Sequence, residues 1–495
     1  MLSLGGRRTI RSLMTATALV SSLAACALDP EPLAEIRVDL DRHAQSLPQD
    51  VLSQPLTVDD AIALAVAHNL DSRVKLLEEV LAQGKADLSI FAMLPQMAAK
   101  GGMTRRSLPK ATVSKDLSTG STGTSYSTSD DATGRTADLT ATWNLMDFGI
   151  AMLRSEQEED RVKQALEKRR RALHLLVQDV QAAYWKAVIN EYAEAKYNSL
   201  EVRLKRSVAD AEEAERSKVG DPMQMLNHQR AIVDTMRQIA EMQRQTATSR
   251  ADLAGLMGVE SVAAFQLAEL KDGITLKLDS PAQDVEALQQ VALDNRPELK
   301  VEDAQFRIDV QDIYTELLKS LPGIGPFIGG HYDSNSYLKY NAWADAGVQV
   351  AWNLVDFLSA PKRIGQAQNT AEVTRARRLA LGMAVVTQVR VADIQYRHAL
   401  KEYRLTDQMA GIDRRITSLA GKSRNAGSGS AMEEIKAEAS SMLSTLRRFI
   451  LYSEVQAAKA RLNAAMGLDP QPPMPEAVPT AQTPVPQHVA VNQSR

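Results

Sequence analysis

The chain has 495 residues and a formal net charge of −3, so no basic excess marks nucleic acid as its main partner. Aromatic residues make up only 4%, while Ala, Leu, Val, Met, Gln, Glu and Arg are plentiful; this favours helices packed through small and aliphatic side chains over a thick globular core. The one cysteine, Cys26, excludes an internal disulfide framework.

At the N-terminus, Arg7, Arg8 and Arg11 precede a mostly apolar run from Leu13 to Ala25 that is too short to span a bilayer comfortably. That pattern is an export signal. Leu23-Ala24-Ala25-Cys26 resembles the bacterial lipobox, in which the cysteine is acylated and becomes the new N-terminus. Cleavage at the A-x-A-like Ala25-Cys26-Ala27 is the alternative, and would discard the cysteine. Either way the mature chain leaves the cytoplasm, and no later stretch is long and apolar enough for a transmembrane helix.

After a proline-punctuated tether, Thr57-Val58-Asp59-Asp60 opens a helix, with Thr57 as N-cap and the two acids in the first turn, where the helix dipole favours them. This helix is expected to run past Gly84 to Leu94-Pro95. A sister segment starts near Asp284 and stops at Leu321-Pro322. Each is followed by something extended, over 96–142 and 323–351, with a Ser/Thr-rich loop at 118–134 in the first and a short polar turn around Asp333–Ser336 in the second. Both extended parts return through an alternating strand. Leu139, Ala141, Trp143 and Leu145 point one way in the first, Val348, Val350, Trp352 and Leu354 in the second, and Thr140, Thr142, Asn144, Gln349 and Asn353 point the other.

The phrase WNLMDF (143–148) returns as WNLVDF (352–357), a shift of 352 − 143 = 209 positions that also carries Met257-Gly258 onto Met466-Gly467 and Gly220 onto Gly429. The chain is therefore internally duplicated. Behind each phrase lies a very long helical pattern. From Ile150 to about Lys218, Val162, Leu166, Leu173, Leu176, Val180, Ala183 and Ala187 keep a coiled-coil seam, matched by Val385, Val389, Ala392 and Tyr396 in the second copy. Sharp reversals follow at Lys218-Val219-Gly220-Asp221-Pro222 and at Arg424–Ser430, with return helices to Leu256 and Ala465.

The expected organisation is a signal (1–25), a lipidated tether (26–56), a first repeat (57–258), a linker (259–283), a second repeat (284–468) and a proline-rich tail (469–495). Strands occupy about 96–146 and 323–355, and long hairpins about 149–257 and 358–466. Four strands cannot close a membrane barrel, since roughly eight is the practical minimum, and an open sheet in hydrocarbon would leave unpaired backbone groups at both edges. Strands of this kind in a membrane must therefore be completed by further copies.

This duplicated order of helix, Leu-Pro stop, strand pair and long hairpin resembles the TolC-like outer-membrane efflux protein family, in its lipoprotein branch, over roughly residues 57–468. The resemblance implies a mainly α fold with a small β part, in which three copies form a 12-stranded transmembrane β-barrel above a long α-barrel. It also implies a passive exit duct in the outer membrane, held to outer-membrane lipid through Cys26 and extending into the periplasm. Its partners would be a periplasmic adaptor protein and an inner-membrane transporter, as part of an efflux pump or a type I secretion system. The adaptor-docking tips would be Lys218, Val219, Gly220 and Asp221 in one repeat and Arg424, Gly427, Ser428 and Gly429 in the other. Family members often carry acids just after the tip, facing a closed pore; Glu433 and Glu434 stand there in the second repeat, whereas the first has Gln224. A solvated face near a helix start also accounts for these acids.

Catalysis is not expected. The histidines are dispersed without metal-ligand spacing, there is no glycine-rich phosphate loop, and neither a metal nor a cofactor is implied. The rival reading is a soluble or lipid-tethered periplasmic coiled-coil adaptor or structural protein, which would share the hairpins but has no use for paired strands with an apolar outer face.

Overall fold

The computed structural model describes residues 55–217, 221–259, 265–268, 278 and 284–469. Cys26, the signal, most of the tether, Lys218, Val219, Gly220 and the tail beyond Asp469 lie outside the described residues.

The first repeat runs α1 (Val58–His68), α2 (Leu70–Ser89), a 3-10 turn (Ile90–Met93), β1 (Gln96–Arg105), β2 (Thr133–Thr142), α3 (Leu145–Arg216), α4 (Pro222–Thr246) and α5 (Ser249–Met257). The second runs α6 (Val285–Asn295), α7 (Pro297–Lys319), β3 (Gly323–Asp333), β4 (Ala342–Ala351), α8 (Leu354–Asn425) and α9 (Ala431–Met466). Helices α3 and α8 are each 72 residues long, about 110 Å at 1.5 Å per residue.

Thr57 caps α1 in a full capping box with Asp60, and Asp284 caps α6 by accepting from Glu286 N at 3.0 Å and Ala287 N at 3.3 Å. The helices opened there are not continuous, as the apolar pattern had suggested. Each breaks at one extended residue, Asn69 (ψ 122) or Arg296 (ψ 122). Asn69 breaks the first because its side chain caps the next helix, accepting from Ser72 N at 2.9 Å. Arg296 breaks the second because Pro297 disfavours helical backbone in the residue before it.

The two breaks explain why both repeats end in glycine. Asn69 Nδ2 donates to Leu256 O at 3.1 Å, and Arg296 Nη1 donates to Ala464 O and Ala465 O at 3.1 and 3.2 Å, so each break covers the carbonyl end of its own return helix. Those helices finish in left-handed glycines, Gly258 (φ 69) and Gly467 (φ 70). A Cβ on Gly258 would stand 2.9 Å from His68 O, and one on Gly467 would stand 2.9 Å from Arg296 N and Asn295 O. Only hydrogen fits. Gly467→Ala is therefore expected to cost about 2–4 kcal/mol, from left-handed strain plus a backbone collision, read as a fall in thermal midpoint. Gly255→Ala, inside α5 with nothing within 4 Å of its added Cβ, should be neutral or slightly stabilising.

The WNLxDF phrase builds the joint between sheet and long helix. Trp143 Nε1 donates to Met93 O and Trp352 Nε1 to Ser320 O, both at 3.2 Å, which pins each strand's end to the helix stop before it. Each Trp meets the Phe of its own phrase edge-on, at 5.6 Å for Trp143–Phe148 and 5.0 Å for Trp352–Phe357. The strands end at Thr142 and Ala351, earlier than the alternation implied. Asn144 and Asn353, read from sequence as strand residues on a polar face, are instead N-caps, and Leu145 and Leu354 are the first helical residues.

The return helix of the first repeat is also interrupted, at Ala247 and Thr248 between α4 and α5, while α9 runs unbroken for 36 residues. Buried Thr246 turns its hydroxyl to Asn190 Oδ1 at 2.8 Å, and Ser249 Oγ bonds back to Thr246 O at 2.5 Å. Side chains that compete for the local backbone loosen the helix there.

Four apolar clusters among the described residues hold the hairpins, and the two largest also take in the short helices. One joins Ile62, Leu173, Val180, Tyr184, Leu253 and Met257; the other joins Leu299, Val385, Val389, Tyr396, Val455 and Leu462. Trp185 packs on both, meeting Tyr184 at 5.4 Å and Tyr452 at 4.9 Å edge-on, and so links the repeats. At the lower edge of the second repeat, Asp469 accepts from Arg170 Nη2 at 3.0 Å and lies 3.1 Å from Nε2 of buried His174. Burial holds the His174 imidazole below its ordinary range. A histidine lowered on folding contributes stability that is present above about pH 6.5 and lost as pH falls through its folded value. The thermal midpoint should therefore fall as pH drops below about 6.5, with a shallower slope in His174→Gln.

Candidate functional site: a two-faced sheet and two helical tips

The four strands form one antiparallel sheet in the order β1-β2-β3-β4, so β1 and β4 are its edges. The register aligns Met97 with Ala141, Ala141 with Ile328 and Ile328 with Ala346, and alternation sorts the residues into two faces. One face is apolar on every strand. It carries Met97, Ala99 and Met103 on β1, Ala137, Leu139 and Ala141 on β2, Ile324, Pro326 and Ile328 on β3, and Ala344, Ala346, Val348 and Val350 on β4. Nothing among the described residues covers it: Leu139 is 56% exposed, Ile328 61% and Val348 67%.

The opposite face is polar, with Lys100, Thr136, Asp138, Thr140, His331, Asp345 and Gln349. Its most constructed feature spans three strands. His331 Nδ1 lies 2.7 Å from Asp138 Oδ1 and its Nε2 3.2 Å from Asp345 Oδ1, with the ring stacked on Trp343 at 5.4 Å. The contact passes over Gly329, where an added Cβ would meet His331 Nε2 at 2.6 Å. Because the two ring nitrogens point in opposite directions, the three groups cannot converge on one ion, and no metal-holding cluster occurs among the described residues. Sequence reading missed this trio, since Asp138 lies 193 residues from His331 and only the register joins them.

At the far end of the long helices are the tips. In the first, Asp221 is the N-cap of α4, accepting from Met223 N at 3.0 Å with Pro222 beside it, and Gln224 N donates to Asp221 O at 3.1 Å. In the second, Gly427 turns the chain in the left-handed region (φ 73), and Ser428 N and Gly429 N donate to Ser423 O at 3.0 and 3.1 Å. A Cβ on Gly429 would sit 2.8 Å from Ser423 Oγ. Glu433 closes a capping box with Ser430, and Glu434 pairs with Arg424 across the turn. The structure thus brings Arg424 and Glu434 together and places Glu433 in a capping role. Among the described residues no helix is long and apolar enough to cross a membrane.

The site is thus a small antiparallel sheet with one apolar face, mounted on two paired long hairpins. Residues 61–259 match the family model of outer membrane efflux proteins. The outer-membrane channel OprN superposes with a TM-score of 0.64 at 14% identity, over 86% of this chain and 95% of that one. The open state of the Neisseria gonorrhoeae MtrE outer membrane channel gives 0.62 at 16%, over 85% and 91%. CusC, described in its transmembrane channel formation, gives 0.63 at 16%, over 86% and 95%. No curated protein matches. The first repeat matches that family model, and the resemblance to the TolC-like outer-membrane efflux family holds for sequence there and for fold over most of the chain.

Proposed function

We propose that this chain is the outer-membrane channel of an efflux pump or type I secretion system, a passive duct built from three copies. The observation that carries the reading is the sheet: an apolar face across all four strands, with β1 and β4 left as free edges. In hydrocarbon each unpaired edge group costs several kcal/mol, so the edges must meet those of identical copies. Three copies supply twelve strands, with the apolar face toward lipid, the polar face toward a lumen, and the loops after β1 and β3 outside the cell. The helices then reach across the periplasm, where the tips around Asp221 and Gly427–Gly429 meet an adaptor coupled to an inner-membrane transporter. Acylated Cys26 would hold the chain to the membrane.

A detergent-solubilised trimer that resists alkaline extraction and conducts ions in planar bilayers is the expected result. A monomer released by alkali without conductance overturns the reading in favour of a tethered coiled-coil protein. The acids after the second tip are proposed as a cation-attracting constriction. Glu433→Gln and Glu434→Gln should then weaken cation preference and block by divalent ions; unaltered values would leave these residues with capping and pairing alone.

A further inference from the structure

The uncovered face of the sheet carries only two charged side chains, and both are arginines. By the register, Arg105 on β1 and Arg135 on β2 share the face with Met97, Ala99, Met103, Ala137 and Leu139. Both sit at its loop end, Arg135 opposite Met103 and Arg105 opposite Thr133, so they are diagonal neighbours on adjacent strands. Diagonal neighbours on one face stand about 7–8 Å apart, and two like charges at that distance are unfavourable unless an anion lies between them. The described residues supply none. Both arginines are exposed and neither has an ion pair among the described residues, whereas Arg106 and Lys110 beside them both face Asp130.

What lies next to the pair identifies the missing anion. Below it, Ile324 to Tyr332 on β3 gives about 27 Å of strand, or about 20 Å once tilted as barrel strands are, close to the height of a lipid-facing band. Tyr332 shares the rim with the arginines on the same face, half-exposed, and Trp143 and Trp352 stand at the opposite rim. Aromatic side chains at both limits of an apolar band mark the two membrane–water boundaries. A cation pair at one boundary faces lipid headgroups, and guanidinium forks match phosphate oxygens in pairs.

We infer that Arg105 and Arg135 form a binding site for the phosphate-bearing headgroup of a lipid in the outward leaflet. The inference rests on the barrel reading above, because the face meets lipid only if the sheet is a membrane wall. The phosphate neutralises both guanidinium groups and holds one lipid against β1, an edge strand that borders a neighbouring copy.

The test is native mass spectrometry of the detergent-solubilised full chain with a bis-phosphorylated glucosamine lipid, its dephosphorylated form as control, and conductance in planar bilayers as a parallel readout. Wild type should retain the phosphorylated lipid at least fivefold better than Arg105→Gln/Arg135→Gln and should not enrich the dephosphorylated form. Arg105→Lys/Arg135→Lys, which keeps charge but loses the fork, should lie between. Equal retention by wild type and the glutamine variant, or equal retention of both lipids by wild type, overturns the site while conductance persists. Loss of conductance in wild type itself would strike the barrel reading instead.

Discussion

Replacing Ile412 and Ile416 together with glutamate is expected to leave a folded monomer that conducts no ions. Along α8, Leu405, Met409, Ile412, Ile416 and Leu419 follow spacings of 4, 3, 4 and 3, the seam of a coiled coil, and all five are about half exposed or more. The described residues of the chain do not use this stripe themselves. Its own packing of α8 against α9 goes through the buried Val385, Val389, Tyr396, Tyr403 and Ala410. A second stripe of the same kind lies on α2, where Leu70, Val74, Leu77, Leu81 and Leu88 are all exposed. Half-exposed Leu and Ile side chains gain about 1 kcal/mol each when the rest of their surface is buried, and the proposed tube of three copies would repeat that gain at every seam. A carboxylate placed in such a seam without a partner costs several kcal/mol in each copy. The double variant should therefore keep its helical circular dichroism, because the chain's own core is untouched, yet run as a monomer in analytical ultracentrifugation. A trimer of unchanged stability would show that copies do not meet through this stripe.

The joints of the fold were legible where local chemistry alone decides them. Thr57 is a cap read from the sequence, Asp284 is read there only as the start of the sister segment, and the glycine-rich reversals before Ser430 could be placed from backbone freedom. Ser430-Ala431-Met432-Glu433 even spells a capping box, so the local role of Glu433 was readable before any resemblance suggested a gate. Other features needed tertiary knowledge. Asn144 and Asn353 continue an alternation on paper and cap helices in space, because period two does not say where a strand stops. The break at Asn69 has no proline to announce it, unlike that at Arg296. The His331 trio and the arginine pair both depend on strand register, which no local pattern encodes. Trp185, which links the repeats, falls outside the duplication: the same shift brings it to Ile394, an exposed residue.

Removing Arg169 alone should be among the most damaging changes available in the first repeat, and removing its partner as well should restore most of the loss. Arg169 on α3 pairs with Glu79 on α2 at 2.7 Å, with side chains only 5% and 11% exposed. The pair matters because α2 has little else. Its fully buried residues are Glu79 and Ala86, and Leu70, Leu77, Leu81 and Leu88 face away from the described residues of the chain. Arg169→Met would strand a carboxylate between the helices, a loss of about 3–5 kcal/mol. Glu79→Leu with Arg169→Met leaves no buried charge, and replacing both partners with apolar groups of similar volume is often neutral or stabilising. The readout is thermal unfolding together with amide exchange along α2, which should become unprotected in the single variant and recover protection in the double one. If both variants lose stability equally, the two charges do not act as a pair and Arg169 stabilises the fold through other contacts. If neither does, α2 is held in place by neighbouring copies through its exposed leucines, and the same comparison in a monomeric Ile412→Glu/Ile416→Glu background should then restore the difference.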